Sequence, residues 1–381
     1  MIEQFFVANQ ALNEEALGQA YAHQQQLTKP EGALGRLEEV AMRLASMQGE
    51  SHPQIKSPWV SVFAADHGIA AHGVSAFPQA VTEQMVLNFC QGGAAVNVLA
   101  NFAKASFEVV DVGVLADFAE HPHLIQAKVA AGTADFSVQA AMTQAQLLQA
   151  LMVGYDSAER AKAAGADLFI AGEMGIGNTT SATAMIAVLS GQEVDDLVGV
   201  GTGISMKAKK QKAQMIKNAI ALHQESLNSP LRILQHLGGF EIAAMCGAYI
   251  RCAQLGLPIV VDGLMATVAV WIADLVSRND QLASCDSVEK MMNLGKYSIP
   301  ETLFCTCGSC PRLVDWCFFA HQSAEPAHAM MLETLAAEPM LQFEMRLGEG
   351  SGAALVIPLL QQACALHNQM ATFASAQVSQ G

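Results

Sequence analysis

Asp167-Leu168-Phe169-Ile170-Ala171-Gly172-Glu173-Met174-Gly175-Ile176-Gly177-Asn178-Thr179-Thr180 is the stretch whose reading decides the fold. Its first five residues form a short apolar run of buried-strand type. Ser181-Ala182-Thr183-Ala184-Met185-Ile186-Ala187, which follows, reads as the start of a helix. The three glycines between them therefore fall in a strand-to-helix turn. Glycine lets the backbone bend sharply and lets a ligand come close to it. A helix start adds unpaired N–H groups and the positive end of the dipole, a combination that suits a phosphate. Glu173 falls in the same turn by this reading, and a plain phosphate cradle has no use for a carboxylate. The segment points either to an anion beside acid–base chemistry or to an ordinary tight βα turn. Its spacing is neither that of a P-loop nor that of the dinucleotide fingerprint.

The pattern repeats on both sides of this segment. Trp59-Val60-Ser61-Val62-Phe63-Ala64-Ala65, Phe107-Glu108-Val109-Val110-Asp111-Val112, Pro258-Ile259-Val260-Val261 and Asp315-Trp316-Cys317-Phe318-Phe319-Ala320 are further strand candidates. Alanine-rich helical stretches lie between them: Ala80 to Ala100, Gln139 to Ala164 and Glu241 to Leu255. The first 50 or so residues are more polar, and Leu34 to Leu44 carries apolar residues at helical spacing. Alternating strands and helices imply βαβ units and an α/β fold with a mainly parallel sheet. Each strand candidate contains or is followed by polar residues: Asp66-His67, Asp111, Glu173, Asp262 and His321 with Ser323. In a parallel sheet these positions line one edge, and open α/β sheets bind ligands there. Each alone is as well explained as a cap or turn residue; their recurrence favours a site.

Apolar residues make up 52% of the 381 residues and charged ones 14%, which favours a large buried core. The formal net charge of −15 argues against nucleic acid or an anionic membrane as a partner. A phosphorylated ligand must then be held by local donors. Met1-Ile2-Glu3-Gln4-Phe5-Phe6 lacks the basic and apolar regions of a secretory signal. Leu257 to Ile272 is the most apolar region, but Asp262 interrupts it and it is shorter than the ~20 residues of a membrane span. The expectation is a soluble cytoplasmic protein whose nine cysteines are free thiols.

Three more loops carry chemistry. Leu347-Gly348-Glu349-Gly350-Ser351-Gly352 places a carboxylate between glycines, ahead of an apolar run. Glu349 is either a residue that complements a helix dipole or a general base. Gly199-Val200-Gly201-Thr202-Gly203 is followed by Lys207, Lys209, Lys210 and Lys212. These lysines form a solvated helix face, from which one can reach a phosphate as a point charge. Gly73 to Val86 reads as a loop feeding a helix, where Phe77 and Met85 are either pocket or core.

Together these segments resemble the nicotinate-nucleotide–dimethylbenzimidazole phosphoribosyltransferase family of the cobalamin nucleotide-loop pathway. Lys29-Pro30-Glu31-Gly32-Ala33-Leu34-Gly35-Arg36-Leu37-Glu38 is similar to its N-terminal signature. Ala65-Asp66-His67-Gly68, Gly73 to Met85 and Gly92 to Leu99 resemble its base-binding region. Gly172 to Thr180, Gly201-Thr202-Gly203, Asp262-Gly263, His321-Gln322-Ser323-Ala324-Glu325-Pro326-Ala327-His328 and Arg346 to Gly352 follow in order, so the resemblance spans roughly residues 28 to 360.

The resemblance implies transfer of phosphoribose from nicotinate mononucleotide to 5,6-dimethylbenzimidazole or a related base, with inversion at C1′ and no metal or cofactor. It implies Glu349 as general base and Glu173 as a second catalytic carboxylate that positions the base or a water. Lys212 falls to the donor phosphate. Gly175, Ile176, Gly177, Asn178, Thr179, Gly201, Thr202, Gly203, Asp262 and Ser323 fall to substrate contacts, and Phe77, Met85, Leu347 and Gly348 to the base. It further implies a homodimer and a doubly wound catalytic domain, residues 56–359. A small helical domain would be built from both termini, 1–55 and about 360–381. Between Asp262 and Ser323 the chain is longer than the family pattern, with an insertion near 277–316. Cys285, Cys305, Cys307, Cys310 and Cys317 lie in or beside it, either as metal ligands or as reduced thiols. Two other functions are separable by residue. A regulatory protein that had lost activity would lack Glu349, and an N-glycosidic hydrolase would need no aromatic acceptor pocket.

Overall fold

In the computed structural model, which describes residues 3–199, 206–278 and 311–379, seven parallel strands form one sheet. They are β1 (Pro58–Ala65), β2 (Ser106–Gly113), β3 (Leu124–Gln126), β4 (Leu168–Met174), β5 (Ile259–Val261), β6 (Cys317–His321) and β7 (Pro339–Leu341), in the order β3-β2-β1-β4-β5-β6-β7. The chain winds outward from β1 in one direction and from β4 in the other, so the sheet is doubly wound, with its switch point between those two strands. The strands are buried along most of their length, which is why they read as apolar runs rather than alternating ones.

The described helices are α1 (Glu14–Gln24), α2 (Arg36–Gln48), α3 (Val81–Gln91), α4 (Ala95–Phe102), α5 (Gln144–Ala163), α6 (Asn178–Ser190), α7 (Val194–Leu197), α8 (Met206–His223), α9 (Pro230–Leu237), α10 (Phe240–Leu255), α11 (Leu264–Ser277), α12 (Pro326–Thr334), α13 (Ser351–Gln369) and α14 (Phe373–Ala376). None is long and apolar enough to cross a membrane. Near the termini, α2 packs on α1 and α13, and Leu27 forms a bridge with Thr372.

Three local expectations need correcting. Gly172 and Glu173 belong to β4 and not to the turn, because they continue the ladder opposite Val62 and Phe63 of β1. Asp315 and Trp316 lie in a single turn ahead of β6. The stretch from Ala80 to Ala100 is two helices, since Gly92 takes a left-handed conformation and ends α3. The short strands β3 and β7, three residues each, carried no apolar run to announce them. Gly201, Thr202 and Gly203 lie outside the described residues, as do Cys285, Cys305, Cys307 and Cys310.

The helix pair α5 and α10 shows why small residues recur in this chain. A Cβ on Gly154 would collide with the carbonyl oxygen of Ala244, and one on Gly247 with that of Leu151. The two backbones approach as closely as they do only because both positions lack a side chain. Adding atoms to a packed core typically costs about 1–3 kcal/mol. Gly154→Ala is therefore expected to lower the melting temperature by several degrees, measured by calorimetry, and to do so without touching the cavity described below.

Candidate active site

A cavity of about 340 Å³ opens at the C-terminal ends of β4, β5 and β6. Its floor is built from two segments that meet backbone to backbone. A Cβ on Gly172 of β4 would collide with the carbonyl of Glu349, so only glycine admits the second loop this close to the strand. In that loop Gly348, Glu349 and Gly350 all have positive φ, at 82°, 65° and 84°. Glycine adopts such angles freely, whereas glutamate is held there against its preference.

Asp262, just past β5, supplies the restraint. Its carboxylate accepts from the N–H of Gly350 at 3.2 Å and of Ala353 at 2.8 Å. It thus caps α13 and fixes the loop in one contact. Glu173, from β4, accepts from Asn178 Nδ2 and, at 3.5 Å, from the N–H of Glu349. His321 follows at the end of β6, its Nε2 3.9 Å from Asp262.

These carboxylates are all buried. Burial first, and the charge of Asp262 second, push the Glu349 carboxyl up to about 7. Glu173 is raised well above the usual carboxylate range, by burial and then by the charges of Glu241 and Asp262. Asp262 is raised by burial, opposed by His321 and the loop amides. Like charges buried this close together raise one another's proton affinity. Beneath the site, His67 and Glu241 form a fully buried pair at 2.7 Å, with the His67 ring packed under Gly175.

A second group of residues suits an anion. The turn from Gly175 to Gly177 leads into α6, and the N–H of Ile176 donates to Thr82 at 3.1 Å. Lys212 reaches in from α8, buried, and donates to Thr179 Oγ1 at 2.8 Å. Burial lowers its ammonium to about 8, against the pull of Glu325. Ser323 is held from behind by a histidine. Its N–H donates to His328 Nδ1 at 2.7 Å, which leaves Nε2 as the protonated nitrogen, 2.9 Å from Thr267 Oγ1. His328 is therefore neutral, and burial lowers it to about 3.

Part of the lining is apolar: Phe77, Val81, Met85, Met174, Met265 and Leu347. Phe77 is 50% exposed and Leu347 56%, so both belong to the mouth rather than the core. Met85 serves both, lining the cavity and packing against the core. The cavity thus gathers Glu349, Glu173, Gly175, Ile176, Asn178, Thr179, Asp262, Ser323, Phe77, Met85, Leu347 and Gly348. Gly177 stands behind the turn, against His67 and Ile69, and Lys212 arrives through Thr179. Sequence reasoning did not single out Glu325, Arg346 or Met265, which also line the cavity, nor give His321 a role. Arg346 sits one residue before the second glycine loop and Glu325 two after Ser323, so proximity to those motifs was the available signal. The cavity thus brings together a carboxyl raised to about 7, a set of apolar side chains and a turn whose Thr179 accepts from Lys212.

A family model described as phosphoribosyltransferase matches residues 9–285 and 301–378. Among curated proteins, the nicotinate-nucleotide–dimethylbenzimidazole phosphoribosyltransferase of Pseudomonas fluorescens is 47% identical over 369 residues, 97% of this chain and 96% of that one. The enzyme of the same name from Azotobacter vinelandii is 45% identical over 373 residues, 98% of this chain and 97% of its own length. A crystal structure of CobT from Thermus thermophilus superposes with a TM-score of 0.83 at 41% identity, covering 96% of this chain and all of that one.

Asp262 raises the Glu349 carboxyl through its charge. Asp262→Asn removes that charge and keeps an oxygen for one of the two amides, those of Gly350 and Ala353, that bond to separate carboxylate oxygens. The titration of Glu349, followed by carbon NMR of labelled carboxyls, is expected to move to lower pH in this variant.

Proposed function

Because the chain belongs to this phosphoribosyltransferase family, among the nicotinate-nucleotide–dimethylbenzimidazole phosphoribosyltransferases, we propose that its cavity moves phosphoribose from nicotinate mononucleotide to 5,6-dimethylbenzimidazole. The products are nicotinate and α-ribazole 5′-phosphate, and the step belongs to cobalamin biosynthesis. One observation carries this reading: the buried Glu349 carboxyl, poised at about 7 beside an apolar slot.

The chemistry requires such a group. Nicotinate leaves as a neutral-ring pyridine from a cationic pyridinium, so its departure needs little acid assistance. The acceptor is a neutral, weak nucleophile with an N–H proton. Glu349 takes that proton while the other ring nitrogen attacks C1′, and the electron pair of the old glycosidic bond returns to the pyridine nitrogen. Attack from the opposite face converts a β bond into an α one. A positioned base of this kind contributes about 10²–10⁴-fold. Glu173, whose carboxyl burial and then the charges of Glu241 and Asp262 raise well above the usual range, positions the base or a water. The turn amides from Gly175, Lys212 with Thr179, and Ser323 receive the phosphoribosyl group. Gly201, Thr202 and Gly203 keep the same assignment from the resemblance. No metal or cofactor enters this scheme.

The apolar side chains Leu87, Val98 and Phe102, exposed on α3 and α4, support a homodimer. The packing of α1 and α2 with α13 supports a small helical unit built from both ends of the chain. The net charge of −15 supports a protein that leaves nucleic acid and anionic membranes alone, and we place it in the cytoplasm.

The test is incubation of purified protein with nicotinate mononucleotide, with and without 5,6-dimethylbenzimidazole, and chromatography of the products. Nicotinate release that depends on the acceptor, together with α-ribazole phosphate, is expected. Release without acceptor would instead identify a hydrolase. Glu349→Gln should lower kcat by about 10²–10⁴-fold. A base works only when ionised, and its pKa is raised, so the wild-type rate should fall below about pH 7 and level off above it.

A further inference from the structure

His321 is a buried side chain that the reaction scheme leaves without a task. It ends β6, lines the cavity and is 2% exposed. Its Nδ1 is enclosed and has no hydrogen-bond partner among the described residues. Its Nε2 lies 3.9 Å from Asp262 Oδ1, too far for a hydrogen bond. Buried polar groups are nearly always paired, so a ring in this state calls for a partner. The ring and the carboxylate converge on the first turn of α13, where a Cβ on Gly352 would collide with both. A Cβ on Gly263 would lie 3.5 Å from His321 Nε2 and 3.8 Å from Ser323 Cβ, so that nitrogen and Ser323 border the same spot. The 3.9 Å separation suits one bridging oxygen, about 2.8 Å from each end with roughly 90° between the two bonds. An orphaned buried N–H is rarer than an orphaned acceptor, so the unpaired Nδ1 puts the proton on Nε2. The bridging group must then accept from Nε2–H and donate to the carboxylate, and a hydroxyl does both.

We propose that His321 and Asp262 together bind one ribose hydroxyl of the phosphoribosyl donor. This deepens the phosphoribosyl-transfer reading and rests on it. Asp262 holds the loop that carries Glu349, and Ser323, two residues past His321, receives the phosphoribosyl group in that reading. A hydroxyl bridging His321 and Asp262 belongs to the sugar that joins those two parts of the site. The contact orients the ribose so that C1′ meets the acceptor, and it makes His321 a specificity-determining residue that selects ribose over deoxyribose.

The test measures kcat/KM for nicotinate mononucleotide and for its 2′-deoxy and 3′-deoxy analogues, with 5,6-dimethylbenzimidazole as acceptor. Wild type is compared with His321→Phe, His321→Asn and His321→Gln. Phenylalanine keeps a ring without nitrogens, the amide of asparagine falls short of the Nε2 position, and that of glutamine reaches it. Loss of a hydroxyl also changes the intrinsic reactivity of the glycosidic bond, but this factor cancels when the ribo-to-deoxy ratio is compared between enzymes. For one of the two hydroxyls the ratio is expected to be about tenfold or more higher in wild type than in His321→Phe and His321→Asn, with His321→Gln in between. Melting temperatures identify the variants that fold. If a folded Phe or Asn variant loses activity on all three nucleotides alike, or keeps the wild-type ratios for both hydroxyls, His321 does not read the ribose and the inference is wrong. If wild type itself releases no nicotinate in the presence of acceptor, the transfer reading fails, and the inference falls with it.

Discussion

One carboxylate, Asp262, is the constraint on which the rest of the site depends. It joins the end of β5 to the start of α13 by accepting from the amides of Gly350 and Ala353. That contact fixes the loop in which Gly348, Glu349 and Gly350 are all left-handed. Without such an anchor a glutamate has no reason to stay in that conformation. The same charge then acts on what it has positioned, since Asp262 also raises the Glu349 carboxyl. One group therefore fixes the geometry and adds to the effect of burial on the proton affinity.

The arrangement trades stability for reactivity. Buried carboxylates gathered at one sheet edge repel each other and lose water. The fold tolerates them because β1, β4, β5 and β6 present these residues from a rigid, apolar base. Glycines bring the segments close: Gly172 admits the Glu349 loop against β4, and Gly352 leaves room for the His321 ring. Behind the site, neutral His328 holds Ser323 through its backbone, and Lys212 is held at Thr179. Few groups gather in this space, and their neighbours hold them in place.

The doubly wound sheet was readable because a buried parallel strand needs a run of apolar residues, and β1, β2, β4, β5 and β6 each have one. The edge strands β3 and β7 escaped because their identity comes from pairing with a neighbour, not from their own three residues. Glu349 stood out through its flanking glycines, whereas spacing offered four lysines, 207, 209, 210 and 212, and only the family resemblance chose Lys212 among them. Glu325, Arg346 and Met265 were not, since nothing local distinguishes a cavity-lining side chain from a surface one. Glu173 was recognised but placed in the turn, because the length of β4 depends on its partner β1.

By itself, then, the sequence determined the α/β class, the polar residues at the strand ends and the glycine loops, all of them local properties of composition and spacing. Only the tertiary structure decided that residues 173, 262 and 349 meet in one dry space, that Glu349 is poised near neutrality and that Phe77 faces a mouth rather than the core. The physical reason is that proton affinity and exposure are set by neighbours distant along the chain. Those neighbours come together only when β4, β5 and the start of α13 are brought side by side by the winding of the sheet.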